Sequence, residues 1–109
     1  MIDFTSVLFD FDGVALVDPT VQADKKQLLT LGRAASHALC ASYSDEQNLS
    51  GDEKFRRGML AYEIRENKSA ELKAEDIATI KNLISKMFGA AVVFRAWPML
   101  DPAGFKTPK

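Results

Sequence analysis

The sequence predicts an α+β domain in which an N-terminal β-hairpin packs on a bundle of three to four short helices. Residues 7–17, VLFDFDGVALV, are rich in β-branched and aromatic residues and break at Asp12-Gly13, which reads as strand, turn, strand. Three later stretches repeat apolar residues at helical spacing. A chain of 109 residues can bury one core and is too short for two independent ones. Residues 1–100 are therefore read as one small domain, with the hairpin over 1–18 and the helical part over 30–97, and residues 101–109 as a flexible tail.

In a two-residue Asp12-Gly13 turn, Phe11 faces Val14, Asp10 faces Ala15, Phe9 faces Leu16 and Leu8 faces Val17. Phe9, Phe11, Val14 and Leu16 then share one apolar face and Asp10 falls on the other. Residues 18–27 are mostly polar, with Pro19 near the start, and read as a loop. Thr30 can cap a first helix whose Leu31, Ala35, Ala38, Leu39 and Ser42 follow one face. Ser50 and Glu53 spell a capping box for a second helix, with Phe55, Met59 and Tyr62 as its stripe and Asn67 as its terminator. A third helix begins near Ala74, where Glu75 and Asp76 suit the helix dipole. Its stripe is Ile77, Ile80, Ile84, Met87 and Phe88, closed by Gly89. Residues 90–97 are apolar and read as a short helix, with a strand through Val92, Val93 and Phe94 as the alternative, ending at Pro98. The tail, with two prolines and a glycine, is expected to be loose.

A formal net charge of -1 argues against a nucleic-acid surface, which is strongly basic. Cys40 is the single cysteine, so no internal disulfide forms, and the sequence holds no Cys/His cluster for zinc. No apolar run reaches the ~18 residues of a membrane span. These features together lead to the expectation of a soluble protein in the cytoplasm of its cell, without metal or cofactor.

The stretch VLFDFDGV resembles motif I of the haloacid dehalogenase superfamily. The resemblance implies Asp10 as nucleophile toward a phosphoryl group, Asp12 as general acid and base, Gly13 as the tight turn, and magnesium to offset the charge. The rest of that machinery is missing: a hydroxyl residue ending a second apolar strand, a phosphate-steadying lysine and a further acidic pair on a parallel sheet. The pairs Asp45-Glu46, Asp52-Glu53 and Glu75-Asp76 sit at or near predicted helix starts, where dipole effects account for them. The hairpin reading is preferred, and a magnesium-dependent phosphotransferase using Asp10 and Asp12 is retained as an alternative.

Other candidates are weaker. Residues 55–88 outline a helix, loop and helix, but counting from Arg65 the loop opens with a cation and has Ala70 sixth and Asp76 twelfth, which does not suit calcium. His37 stands without a nearby Cys or second His, and Cys40 without an activating neighbour in sequence. Lys54, Arg56 and Arg57, flanked by Asp52 and Glu53, read as a solvated helix face. Phe94, Arg95, Trp97, Met99 and Leu100 form an aromatic and Met-bearing group near a loose end, and are the candidate partner-binding residues.

In order, DFDG, LTLGRAASHAL, SGDEKFRRGMLAYEI, LKAEDIATIKNLISKMF and VVFRAWPML resemble small accessory proteins of tailed bacteriophages and prophages. The resemblance spans most of the chain and implies a non-enzymatic protein that acts by protein–protein binding in a bacterial host cell. Tail assembly, as a chaperone, is the specific expectation, with a prophage-encoded inhibitor of a host protein as the alternative. It supplies no catalytic residue. The expected partner is a phage structural protein or a host protein, with self-association left open.

Overall fold

Thr30 starts the first helix as its side chain suggests. In the computed structural model, which describes residues 2–19, 27–46, 48–66, 69–70 and 72–101, Thr30 Oγ1 accepts from the Arg33 amide at 3.1 Å. Helix α1 spans Leu31–Cys40. Its remaining free amides are taken by the N-terminal segment: Leu31 donates to the Ser6 carbonyl at 2.8 Å and Gly32 to the Phe4 carbonyl at 2.9 Å. Only glycine permits this approach, because a Cβ at position 32 would lie 2.9 Å from the Phe4 oxygen. Ala34, Ala35 and Ala38 are fully buried, and these small side chains make α1 the central helix.

A short 3-10 turn at Ser44–Glu46 leads to α2 (Gly51–Glu66), where Ser50 Oγ accepts from the Glu53 amide at 3.1 Å. Helix α3 spans Ala74–Met87 and α4 spans Ala90–Leu100. Two residues at each of two places, β1 (Ile2–Asp3) and β2 (Ser69–Ala70), pair antiparallel with Ile2 opposite Ala70. Among the described residues the protein is thus mostly helical. α1 packs on α2 and α3, α4 packs on α3 and β1, and Leu8, Leu29, Leu31, Ile80, Leu83, Ile84 and Leu100 close the core.

The predicted hairpin does not form. Residues 7–17 and 28–30 make three isolated antiparallel bridges, Phe9 with Ala15, Val17 with Leu28 and Val7 with Thr30, in place of a two-stranded ladder. The turn is also one residue longer than expected. Asp10 Oδ1 accepts from the amides of Asp12 and Val14, each at 2.9 Å, and Gly13 adopts φ 81°. A side chain that captures the amides two and four residues on makes Phe11-Asp12-Gly13 a three-residue loop. Asp10 then bonds Val14 (N to O, 2.9 Å) instead of opposing Ala15. The one-residue slip turns the first arm over, so that Leu8 and not Phe9 faces inward, while Leu16 keeps its expected side. Leu8 is fully buried and Leu16 packs against the core, while Phe9 and Phe11 stand exposed.

The three bridges close on themselves. Leu8 donates to the Leu29 carbonyl, Leu29 to Leu16, and Leu16 back to Leu8, at 2.9, 2.8 and 2.9 Å. Each leucine satisfies one backbone donor and one acceptor within this ring, which lets the segment bury Leu8 and Leu29 without a sheet.

Three smaller expectations are also corrected. Gly89, with φ -80° and ψ -178°, is the N-cap of α4 and does not close α3 in a left-handed turn. Pro98 lies inside α4, which continues to Leu100. A proline in the last turn costs the helix one bond near its end, and burial of Leu100 draws the chain round once more. The stripe Phe55, Met59 and Tyr62 of α2 is exposed, and the helix buries Arg57, Leu60, Ala61 and Ile64 instead. The expected tail beyond residue 101, most of the loop after Pro19, and Asn67 lie outside the described residues.

Candidate functional site

The register slip creates the most exposed apolar surface of the N-terminal segment. Residues opposed in a bridge share a face, as do residues two apart on one strand, so Phe9, Ala15, Val17 and Leu28 project to the same outer side. Phe9, Val17 and Leu28 are 39%, 50% and 48% exposed. The turn carries the surface onward to Phe11, whose ring packs on Phe94 of α4 with centroids 5.3 Å apart and planes tilted by 50°. Arg95 fixes this junction by donating from Nη2 to the Asp10 carbonyl at 3.0 Å. Its buried Nε has no hydrogen-bond partner among the described residues.

The five predicted partner-binding residues are divided by the fold. Phe94 is exposed and belongs to the surface just described, with Arg95 at its edge. Leu100 is buried, and Met99 is half-buried against the core. Trp97 donates from Nε1 to the Lys81 carbonyl at 3.1 Å, and Lys81 Nζ lies 4.8 Å from the centre of its ring. These three hold α4 on α3.

Asp10 and Asp12, the residues of the motif-I resemblance, lie in the turn. The Asp10 carboxylate is engaged by two backbone amides, as a turn requires, and Asp12 is exposed. Among the described residues no three His, Cys, Asp or Glu side chains gather where a metal ion could be held. No helix among them is long and apolar enough to cross a membrane.

Sequence reasoning missed Asp18. Its carboxylate is fully buried, with Oδ2 3.1 Å from Arg33 Nη1 and 3.0 Å from His37 Nε2. Arg33 also donates to Gln27 Oε1, and the Asp18 amide donates to the Gln27 carbonyl at 2.7 Å. The cluster fastens the N-terminal segment to α1, which gives His37 a structural partner. Beside it a cleft of about 680 Å³ opens between α1 and α2, lined by Ser36, His37, Cys40, Gly58, Tyr62 and Arg65 among others. Ser36 Oγ is buried there without a hydrogen-bond partner among the described residues.

Of the basic cluster of α2, Lys54 is solvent-exposed as expected, and Arg56 and Arg57 are not part of a solvated face. Arg57 is buried against Glu46 and Glu53, and Arg56 reaches Asp76 at 3.0 Å and Thr79 at 2.8 Å. These pairs hold α2 to the 3-10 turn and to α3. The Arg57 guanidinium is the main influence that holds the Glu46 carboxyl down at about 2.

No family model, curated protein or solved structure matches this chain.

Proposed function

We propose that the protein is a non-enzymatic binding module of phage or prophage origin that acts in virion assembly, docking a protein partner on the surface of Phe9, Phe11, Val17, Leu28 and Phe94. The observation that carries the binding reading is the run of large apolar side chains left in solvent along the bridges and continued onto α4 by the Phe11–Phe94 contact. A small domain that bears such a run on one side has apolar area to bury against another protein. The surface has the anatomy of an interface core: aromatic rings at its centre and an arginine, Arg95, at its rim. Trp97, Met99 and Leu100 contribute by fixing α4, and hence Phe94, on the fold.

The assembly role, tail chaperoning in a bacterial cytoplasm, rests on the resemblance of the order of segments to small phage accessory proteins. It is tested by affinity capture from cells in which the parent phage is active, with Phe11→Ser/Phe94→Ser as control. Both rings are exposed, so the control keeps its fold. Recovery of virion proteins by the natural chain and their loss with the control is the expected result. Recovery of a host protein instead would make the chain an inhibitor of that protein, and equal recovery by both chains would remove this surface from the binding.

A further inference from the structure

Helix α2 carries a second exposed apolar row, independent of the surface proposed above. Phe55, Met59 and Tyr62 are 69%, 58% and 68% exposed, and Gly58 lies open between them. At about 100° per residue, Phe55 and Tyr62 fall at the centre of the outer face, diametrically opposite Arg57, Leu60 and Ile64, which enter the core. Gly58 and Met59 flank that centre on opposite sides, at about 50° each.

The exposed charges of α2 divide along the same line, Arg56 on the Met59 side being only part-exposed and held by Glu53 and Asp76 of its own chain. Asp52, Glu63 and Glu66 lie on the Met59 side, and Lys54 and Arg65 lie on the Gly58 side, all of them exposed. Such a face is complementary to a copy of itself in one direction only. A two-fold axis parallel to the helix sets the acidic flank of each copy against the basic flank of the other at matching heights. Asp52 then meets Lys54 of the second copy, and Glu63 and Glu66 meet its Arg65. An antiparallel pairing instead sets acid against acid and base against base, which is unfavourable for charges directly opposed. The parallel arrangement also brings Met59 of each copy opposite Gly58 of the other. Nothing lies within 4 Å of the position a Gly58 Cβ would take, so a notch is open to receive the methionine.

We propose that the protein forms a parallel two-fold dimer through α2, with Phe55 and Tyr62 meeting their own counterparts and each Met59 seated in the notch at Gly58 of the other copy. The Gly58 notch borders the cleft between α1 and α2, so the methionine covers part of that opening. One four-turn helix face is at the small end of specific interfaces, and dissociation on the order of micromolar follows.

The test is sedimentation velocity of the full chain from about 1 to 100 µM, a range that brackets micromolar affinity. The expected result is a rise toward twice the 12.0 kDa chain mass, absent in Phe55→Ser/Tyr62→Ser. Direction is read from charge. In a parallel dimer Glu63→Arg and Arg65→Glu each weaken association at least tenfold, and the two together restore it. An antiparallel dimer would be strengthened by Glu63→Arg. In a Cys40→Ser background, Phe55→Cys cross-links to itself under mild oxidation if the helices run parallel. A monomer at every concentration overturns the proposal, even if the row then captures a different protein. A dimer that survives Phe55→Ser/Tyr62→Ser, or is strengthened by Glu63→Arg, overturns it as well.

Discussion

Arg57 and Glu46 meet fork to fork, with Nη1 donating to Oε1 at 2.9 Å and Nη2 to Oε2 at 2.7 Å. The arginine's Nε donates to Glu53 at 3.2 Å, and Lys86 stands 3.6 Å from the Glu46 carboxylate. One buried guanidinium thus ties α2 to the 3-10 turn, and Lys86 ties that turn to α3. Removal of one partner strands the other in a mostly buried place, which costs more than the pair contributes as a whole. Arg57→Ala is expected to lower stability by about 2–4 kcal/mol in urea denaturation, with Lys86 offsetting part of the loss. Arg57→Met with Glu46→Gln should cost less than the sum of the single changes. Additive costs would show that the two side chains do not act as a pair.

The same pair sets a pH dependence. The Glu46 carboxyl is held at about 2 in the folded protein, below its ordinary 4.5, chiefly by the hydrogen bonds from Arg57. Above about 4.5 the carboxylate is ionised in folded and unfolded chains alike, and its stabilisation is complete. As pH falls from 4.5 toward 2 the unfolded chain takes up the proton first, so stability declines. Glu46→Gln should flatten this part of the stability profile. An unchanged slope would assign the acid sensitivity to other carboxylates.

How much of this was legible follows from how local each cause is. Thr30 and Ser50 cap α1 and α2 where their side chains predict, because an N-cap bond spans only three residues. The core of the α3 stripe was legible because Ile80 and Ile84 fall on one face opposite a polar side, although Met87 at its end is exposed. The face of α2 was not. Phe55, Met59 and Tyr62 offer an apolar row as good as Leu60, Ala61 and Ile64, and the choice fell to Arg57, whose partner Glu46 lies eleven residues away. The register near Gly13 was decided by the Asp10 side chain, and a one-residue change of loop length turned Leu8 inward and Phe9 and Phe11 outward while Leu16 stayed against the core. Asp18 gave no signal, since its partners Arg33 and His37 meet it only after α1 has docked.

Position 32 is a sharp test of the contact between the N-terminal segment and α1. The Gly32 amide donates to the Phe4 carbonyl, and an added methyl would lie 2.9 Å from that oxygen and 3.2 Å from Phe4 Cβ. Neither neighbour can yield, because Phe4 is buried and its carbonyl accepts from α1. Gly32→Ala should lose about 1–3 kcal/mol, although alanine is the better helix former. Gly58→Ala, where the new methyl meets nothing within 4 Å, should gain stability in the monomer by up to about 1 kcal/mol. Thermal unfolding at low protein concentration compares the two, and equal effects would mean that the Phe4 contact is loose.

Asp10 separates a structural reading of the DFDG turn from a catalytic one. Its Oδ1 accepts from the amides of Asp12 and Val14, and asparagine keeps that oxygen where alanine removes it. For a turn residue, Asp10→Asn should therefore leave stability within about 0.5 kcal/mol, and Asp10→Ala should cost about 1 kcal/mol. For a nucleophile, asparagine is as disabling as alanine, because the amide oxygen does not attack phosphorus. The measurement pairs urea denaturation with a magnesium-dependent phosphomonoesterase assay on the natural chain and both variants. The expected outcome is a stability order of Asp10 ≈ Asn above Ala, with no turnover by the natural chain beyond that of Asp10→Asn. Turnover that needs magnesium and disappears in Asp10→Asn, in a protein whose stability has not changed, would return the turn to phosphoryl transfer and displace the binding-module reading.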